Sequence, residues 1–225
     1  MNLAPFFDYH TWTFLLRGLQ ATIFAATIAI ILSTIFGILL ALGRLSHIRL
    51  IRLPCIFYIE TVRALPVFLM ILFTFFALPK LGLHVSVAWA VIIALTVYTS
   101  SVNAEIIRAG IVSIEKGQTE AARSLGMSYA VTMRYVILPQ ALQRMVPPLV
   151  AQFITLIKDT SLGVVIGMTE LLRAGEIIYR GVYNGRLNNN PLETLFIVAL
   201  MYFFVCYLLS LVSNRLETRW AATTR

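Results

Sequence analysis

Glu60, Arg63, Lys158 and Asp159 are the residues whose presence solubility explains least, because each sits inside a run that is otherwise largely apolar. A lone Asp or Lys at the centre of a helix in hydrocarbon costs about 2.5–3.5 kcal/mol on insertion scales, so such groups face a protein interior or an aqueous pathway. Lys158 and Asp159 are adjacent, which on a helix sets them about 100° apart and rules out a simple face-to-face pair. They need other partners. Glu60 and Arg63, at i and i+3, share one helix face. The four together supply both poles of a site for a zwitterion: Arg63 or Lys158 for a carboxylate, Asp159 or Glu60 for an ammonium. They would serve equally as an ion-pair network pinning two helices, and one group can do both.

No enzyme site stands beside them. A nucleotide-binding P-loop needs Gly-x-x-x-x-Gly-Lys followed by Ser or Thr, because backbone amides and the lysine must enclose the phosphates. The three lysines precede Leu81, Gly117 and Asp159, so ATP chemistry is not expected in this polypeptide. His10, His47 and His84 lie far apart at predicted membrane boundaries, and no metal site is expected from them. Cys55 and Cys206 sit in apolar stretches without ligand or redox spacing and read as packing residues.

The elements that must hold these charges are membrane helices. Of 225 residues, 59% are hydrophobic and only 12% charged, and the mean hydropathy of +0.85 lies far outside the soluble range. At about 20 residues per crossing, the pattern predicts an all-α integral membrane protein with five spans, near 18–42, 54–78, 84–107, 148–168 and 194–214, in one transmembrane domain. The run from Gly18 to Gly43 carries no charge, is too long for a signal-peptide core, and reads as a retained span. Pro54 is read as a first-turn proline of the second span, Pro66 as a kink, and Pro147-Pro148 as the opening of the fourth. The net charge of +8 marks a membrane side rather than a nucleic-acid partner.

With the N-terminus outside, twelve basic residues fall inside (Arg44, Arg49, Arg52, Arg63, Arg108, Lys116, Arg123, Arg134, Arg144, Arg215, Arg219, Arg225) against five outside (Arg17, Lys80, Arg173, Arg180, Arg186). The asymmetry favours that orientation, with the C-terminus cytoplasmic. The loop from Thr169 to Pro191 keeps three arginines outside, as a docking surface for an extracytoplasmic protein or as a solvated loop. Asn188-Asn189-Asn190-Pro191 within it reads as a polar turn.

One polar island interrupts the spans, at 115–139. It reads as two short helices broken at Gly126-Met127-Ser128, with Gly126 free to adopt the left-handed conformation that closes the first and Ser128 placed to cap the second. Ala121, Ala122 and Leu125 form a small apolar face beside Glu120 and Arg123, suited to another protein's groove. The pattern Glu120-Ala121-Ala122, then Gly126, Val136 and Leu138-Pro139 resembles the cytoplasmic coupling loop of binding-protein-dependent ABC importer permeases, with Val136 where that family usually has Ile.

Further signatures resemble the polar amino-acid branch of these permeases: Glu60-x-x-Arg63-x-x-Pro66, Tyr98 through Glu105-x-x-Arg108, and Lys158-Asp159-Thr160-Ser161-Leu162 followed by Glu170-Leu171. The likeness covers about residues 17 to 217. The chain departs from it at Arg63-Ala64-Leu65-Pro66, where the family usually has Arg-Gly-Thr-Pro, and at an inserted-looking Ser100-Ser101-Val102-Asn103. What the resemblance implies is a multi-pass subunit of the inner (cytoplasmic) membrane, surrounded by membrane lipid and dimerised with an identical or homologous permease. Two separate ABC ATPase subunits would carry ATP and Mg, and a soluble substrate-binding protein would deliver a polar amino acid. It places ATPase coupling at Glu120, Ala121, Ala122, Arg123, Gly126, Leu138 and Pro139, and substrate contact at Glu60, Arg63, Lys158, Asp159, Thr160 and Ser161. Glutamine, glutamate, arginine, histidine and cystine all meet such charged poles. The rival expectations are an ion-coupled carrier with Lys158 and Asp159 as a proton relay, and a membrane enzyme or scaffold whose loop only recruits a partner.

Overall fold

The structure, a computed structural model, describes residues 9–181 and 191–223, with side chains in the second segment as far as Arg215. Asn188–Asn190 and Arg186 lie outside the described residues. All secondary structure among the described residues is helical. Four helices are long and apolar enough to cross a membrane, or five spans if a sharply bent pair counts as one.

The bundle is built on α1 (Tyr9–Leu45) and α4 (Val87–Val112). Along α1 the buried positions Gly18, Thr22, Ala25, Ala26, Ala29, Ser33, Gly37 and Ala41 recur every three or four residues and are small. Within lipid little hydrophobic force drives helices together, so stability comes from backbones approaching closely over small side chains. A Cβ at Gly37 would lie 2.7 Å from that of Asn103, and Asn103 Nδ2 donates to Ser33 Oγ at 3.4 Å. Ala25, Ala26 and Ala29 share a buried cluster with Ala90, Val91 and Ala94, and Ala41 shares another with Ala104 and Ile107. The two helices therefore run in the same direction.

The stretch read as one span at 54–78 is two helices, α2 (Arg49–Ala64) and α3 (Val67–Lys80), bent by 104° at the break. Proline disfavours helical backbone in the residue before it, and Leu65 is accordingly extended at φ −87°, ψ 140°. Pro54 lies inside α2 rather than in its first turn, because Ile51 and Arg52 already donate to the Ile48 carbonyl. A phenol then ties α2 across α4, with Tyr58 Oη donating to the Val97 carbonyl at 3.1 Å.

The 115–139 island comprises α5 (Lys116–Ser124), a turn, α6 (Tyr129–Thr132) and a π-helical segment, Met133–Ile137. From there α7 (Leu138–Asp159) runs back along α4 in the opposite direction and tightens into a 3₁₀ segment, Thr160–Ile166. Pro147 and Pro148 do not open this span but lie inside α7. Polar Gln140, Gln143 and Arg144 disguise its first turns as loop. A short α8 (Leu171–Tyr179) and a long α9 (Pro191–Thr223) complete the chain. Leu15, Leu171, Ala174, Ile178 and Val198 gather α1, α8 and α9 into a third buried cluster.

Candidate functional site

The island folds as a knob at the end where α1 and α4 finish. Gly126, at φ +83°, closes α5: Met127 N–H donates to the Ala122 carbonyl at 3.2 Å and Gly126 N–H to that of Arg123 at 3.0 Å. These are the two bonds of a Schellman close, which requires a left-handed residue at that position. Arg123 Nη1 reinforces it by donating to the Met127 carbonyl at 2.8 Å. The Ser128 hydroxyl then accepts from Val131 N–H at 3.4 Å and opens α6. Of the small face expected on α5, Ala122 is buried and turned inward, whereas Glu120, Ala121, Arg123 and Leu125 are exposed. Leu125, 84% exposed, with Tyr129 and Tyr135 forms an apolar outer surface.

Leu138-Pro139 has a definite local role. In an α-helix the proline ring collides with the carbonyl four residues earlier and supplies no N–H. Here the preceding turn widens to π geometry, Leu138 N–H bonding back to Met133, and the chain passes Pro139 without a break. Such single π turns are frequent at functional sites.

The charged residues form two groups, and among the described residues no hydrogen bond or ion pair joins them. The first lies where α1, α2 and α4 converge. Arg44 Nη1 lies 2.9 Å from Glu60 Oε1 and 3.3 Å from Glu105 Oε2, and Glu105 is held in turn by Arg108 at 2.6 Å. Arg63 is exposed on α2 and takes no part in these bonds.

The second group lies between the end of α7, α8 and α9, around a cavity of about 490 Å³. Lys158 and Ser161 line it with Tyr202, Phe203, Cys206 and aliphatic side chains. Asp159, the next residue in the chain, is half-buried and is not among the residues that line the cavity. Thr160 is fully buried, its hydroxyl donating to the Ile157 carbonyl at 2.7 Å, while that of Ser161 donates to Lys158 at 2.7 Å. Both hydroxyls thus stitch the tightened turn and keep only acceptor capacity.

Three residues the sequence reading did not place in a site hold these groups together. Arg44 is one. Glu170, fully buried, caps α8 by accepting from Leu172 N–H and Arg173 N–H, both at 2.8 Å, and Tyr202 Oη adds a third bond at 2.7 Å. The capping position of Glu170 was readable from the apolar run after it; its link to Tyr202 had no signal inside an unbroken apolar stretch. On the same side of the bundle Glu176 engages two of the loop arginines, Arg173 and Arg180, each at 2.6 Å.

This arrangement can do two things. It offers an exposed helical knob to another protein, and it places a lysine and a phenol at a largely apolar cavity among membrane helices.

Comparison with known proteins points the same way. The family described as binding-protein-dependent transport system inner membrane component matches residues 33–222. The probable glutamine ABC transporter permease of Bacillus subtilis is 46% identical over 97% of this chain and 99% of its own length. A glutamate transport system permease of Corynebacterium glutamicum is 39% identical over 97% of this chain and 80% of its own. A crystal structure of an amino acid ABC transporter with histidines superposes with a TM-score of 0.88 at 33% identity, over 97% of this chain and 99% of that one. An inward-facing methionine ABC transporter shares the fold at a TM-score of 0.71 and 22% identity, over 94% and 98%. The chain belongs to the inner-membrane permease family of binding-protein-dependent ABC transport systems.

Proposed function

We propose that this chain forms the membrane pathway of an ATP-driven importer for a polar amino acid and receives the force of ATP hydrolysis through its knob. The observation that carries the reading is the knob itself: a Schellman-closed helix pair with Ala122 inside and Glu120, Leu125 and Tyr129 outside, opening without interruption into a 38-residue helical run. The glutamine and glutamate permeases among its relatives support the substrate class. Two ATPase subunits dock on the knobs of a permease pair, identical or homologous, in the inner membrane. The knob and C-terminus face the cytoplasm, and a soluble substrate-binding protein docks on the outer side. ATP and Mg act on the ATPases.

Closure of the ATPase pair moves the knobs and rocks the helices around the Lys158–Asp159 region, which opens to each side in turn. Lys158 attracts the substrate carboxylate and Asp159 its ammonium. The test is uptake into proteoliposomes holding this permease with its ATPase and receptor. Uptake is expected to require ATP, and Asp159→Ala is expected to abolish most of it while the complex still assembles. Full-speed uptake by the permease alone, driven by an ion gradient, would overturn the reading in favour of a carrier. Unchanged uptake in Asp159→Ala would remove that residue from the pathway.

A further inference from the structure

We infer that Arg144 is a positioning residue for energy coupling: it clasps the outgoing strut of the knob to the incoming one, so that α4 and α7 turn as one body. The inference rests on the proposed function and names the part that transmits the knob's movement.

The last carbonyls of a helix have no intrahelical partner and carry the negative end of its dipole. At the end of α4, Arg144 of α7 supplies the missing donor. Its Nη1 lies 2.6 Å from the Ser113 carbonyl and 3.3 Å from Ser113 Oγ, and the Ser113 hydroxyl itself donates to the Gly110 carbonyl at 2.8 Å. A cation thirty-one positions later in the chain thus completes the cap of α4. Arg144 forms no ion pair among the described residues, so its fork serves geometry rather than charge neutralisation.

Two further rungs flank the clasp. Towards the membrane Gly110 lets the helices touch: a Cβ there would lie 2.8 Å from Met145 Cβ. Towards the knob Gln140 Nε2 reaches Gln118 Oε1 at 3.4 Å. Ile114, Ile137, Ala141 and Met145 fill the space between as one buried cluster. Beyond this base the two struts differ: the incoming one breaks between Val112 and Lys116, whereas the outgoing one runs as continuous helix from Tyr129 through the π segment. Without the clasp, a push on the tip is absorbed at that break and reaches α7 but not α4.

The experiment compares Arg144→Ala, Arg144→Lys and Ser113→Ala in the complete transporter in proteoliposomes, measuring substrate imported per ATP hydrolysed. Arg144→Ala is expected to retain receptor-stimulated hydrolysis within about twofold while import per ATP falls about tenfold, within the usual range of inter-site coupling. Arg144→Lys restores much of the ratio, because an ammonium still donates to the Ser113 carbonyl. Ser113→Ala leaves it nearly unchanged, because the shorter bond goes to the backbone. An unchanged ratio in Arg144→Ala overturns the inference, as does a parallel fall of hydrolysis and import, the mark of a merely structural role. Wild-type protein that shows no ATP-dependent uptake removes the proposed function itself, whatever Arg144 does.

Discussion

Arg44, Glu60, Glu105 and Arg108 converge, and their different exposures set what each contact is expected to contribute. Arg44 is shielded, with 18% of its side chain exposed, and so is Glu105 at 21%, whereas Glu60 is 56% exposed. A solvent-screened pair contributes about 0.5 kcal/mol, and a shielded, charge-assisted one about 2 kcal/mol. Arg44→Met should therefore cost about 2–3 kcal/mol, most of it from Glu105, and Glu60→Gln only about 0.5 kcal/mol. For a chain of this size that is a fall in unfolding midpoint of about 5–10 °C for Arg44→Met and about 1–2 °C for Glu60→Gln. The assay is thermal unfolding of the purified complex, with a double-mutant cycle pairing Arg44→Met with Glu60→Gln and then with Glu105→Gln. Coupling to Glu105 is expected to exceed coupling to Glu60 by about 1.5 kcal/mol, with the substrate KM unmoved by Glu60→Gln. A KM raised tenfold or more in Glu60→Gln at unchanged midpoint would refute this reasoning and return Glu60 to the substrate pathway.

Three further substitutions test the knob and the buried cap. A Cβ at Gly126 meets nothing within 4 Å, so Gly126→Ala pays only the left-handed backbone, about 1–2 kcal/mol, while Gly126→Pro cannot take φ +83° at all. The alanine variant should import several-fold less per ATP and the proline variant hydrolyse ATP without import; normal coupled transport in Gly126→Pro counts against the knob as the coupling element. Tyr202→Phe removes the 2.7 Å bond to Glu170 and leaves a fully buried carboxylate with its two amide donors, a loss of about 1.5–3 kcal/mol. A midpoint equal to wild type in that variant would show that the phenol does not hold Glu170.

The sequence disclosed what local chemistry decides and concealed what distance decides. Gly126 and Ser128 were legible because a left-handed close and an N-cap depend on a few neighbouring residues. Pro66 announced a bend, but not its 104°, because α2 crosses α4 under the hold of Tyr58 on Val97, thirty-nine residues away. The start of α7 was misplaced because hydropathy reads composition, and Gln140, Gln143 and Arg144 look like loop until the bond of Arg144 to Ser113 at the end of α4 is known. Glu60 and Asp159 were grouped on type and charge alone; in the fold Glu60 pairs with Arg44, on another helix.

The same geometry bears on how the proposed push on a small knob would reach the rest of the bundle. Among the described residues α4 packs against α1, α2, α3 and α7, and two-thirds of its apolar stretch is buried, whereas α9 is 6% buried. Small residues weld α1 to α4 along their length, so those two helices cannot slide past each other without separating Gly37 from Asn103. The Lys158 cavity is walled in part by α9, the least buried of the candidate spans. On the proposed reading, a displacement delivered to the end of α4 through Arg144 would be carried by the stiff α1–α4 pair and relieved at the cavity.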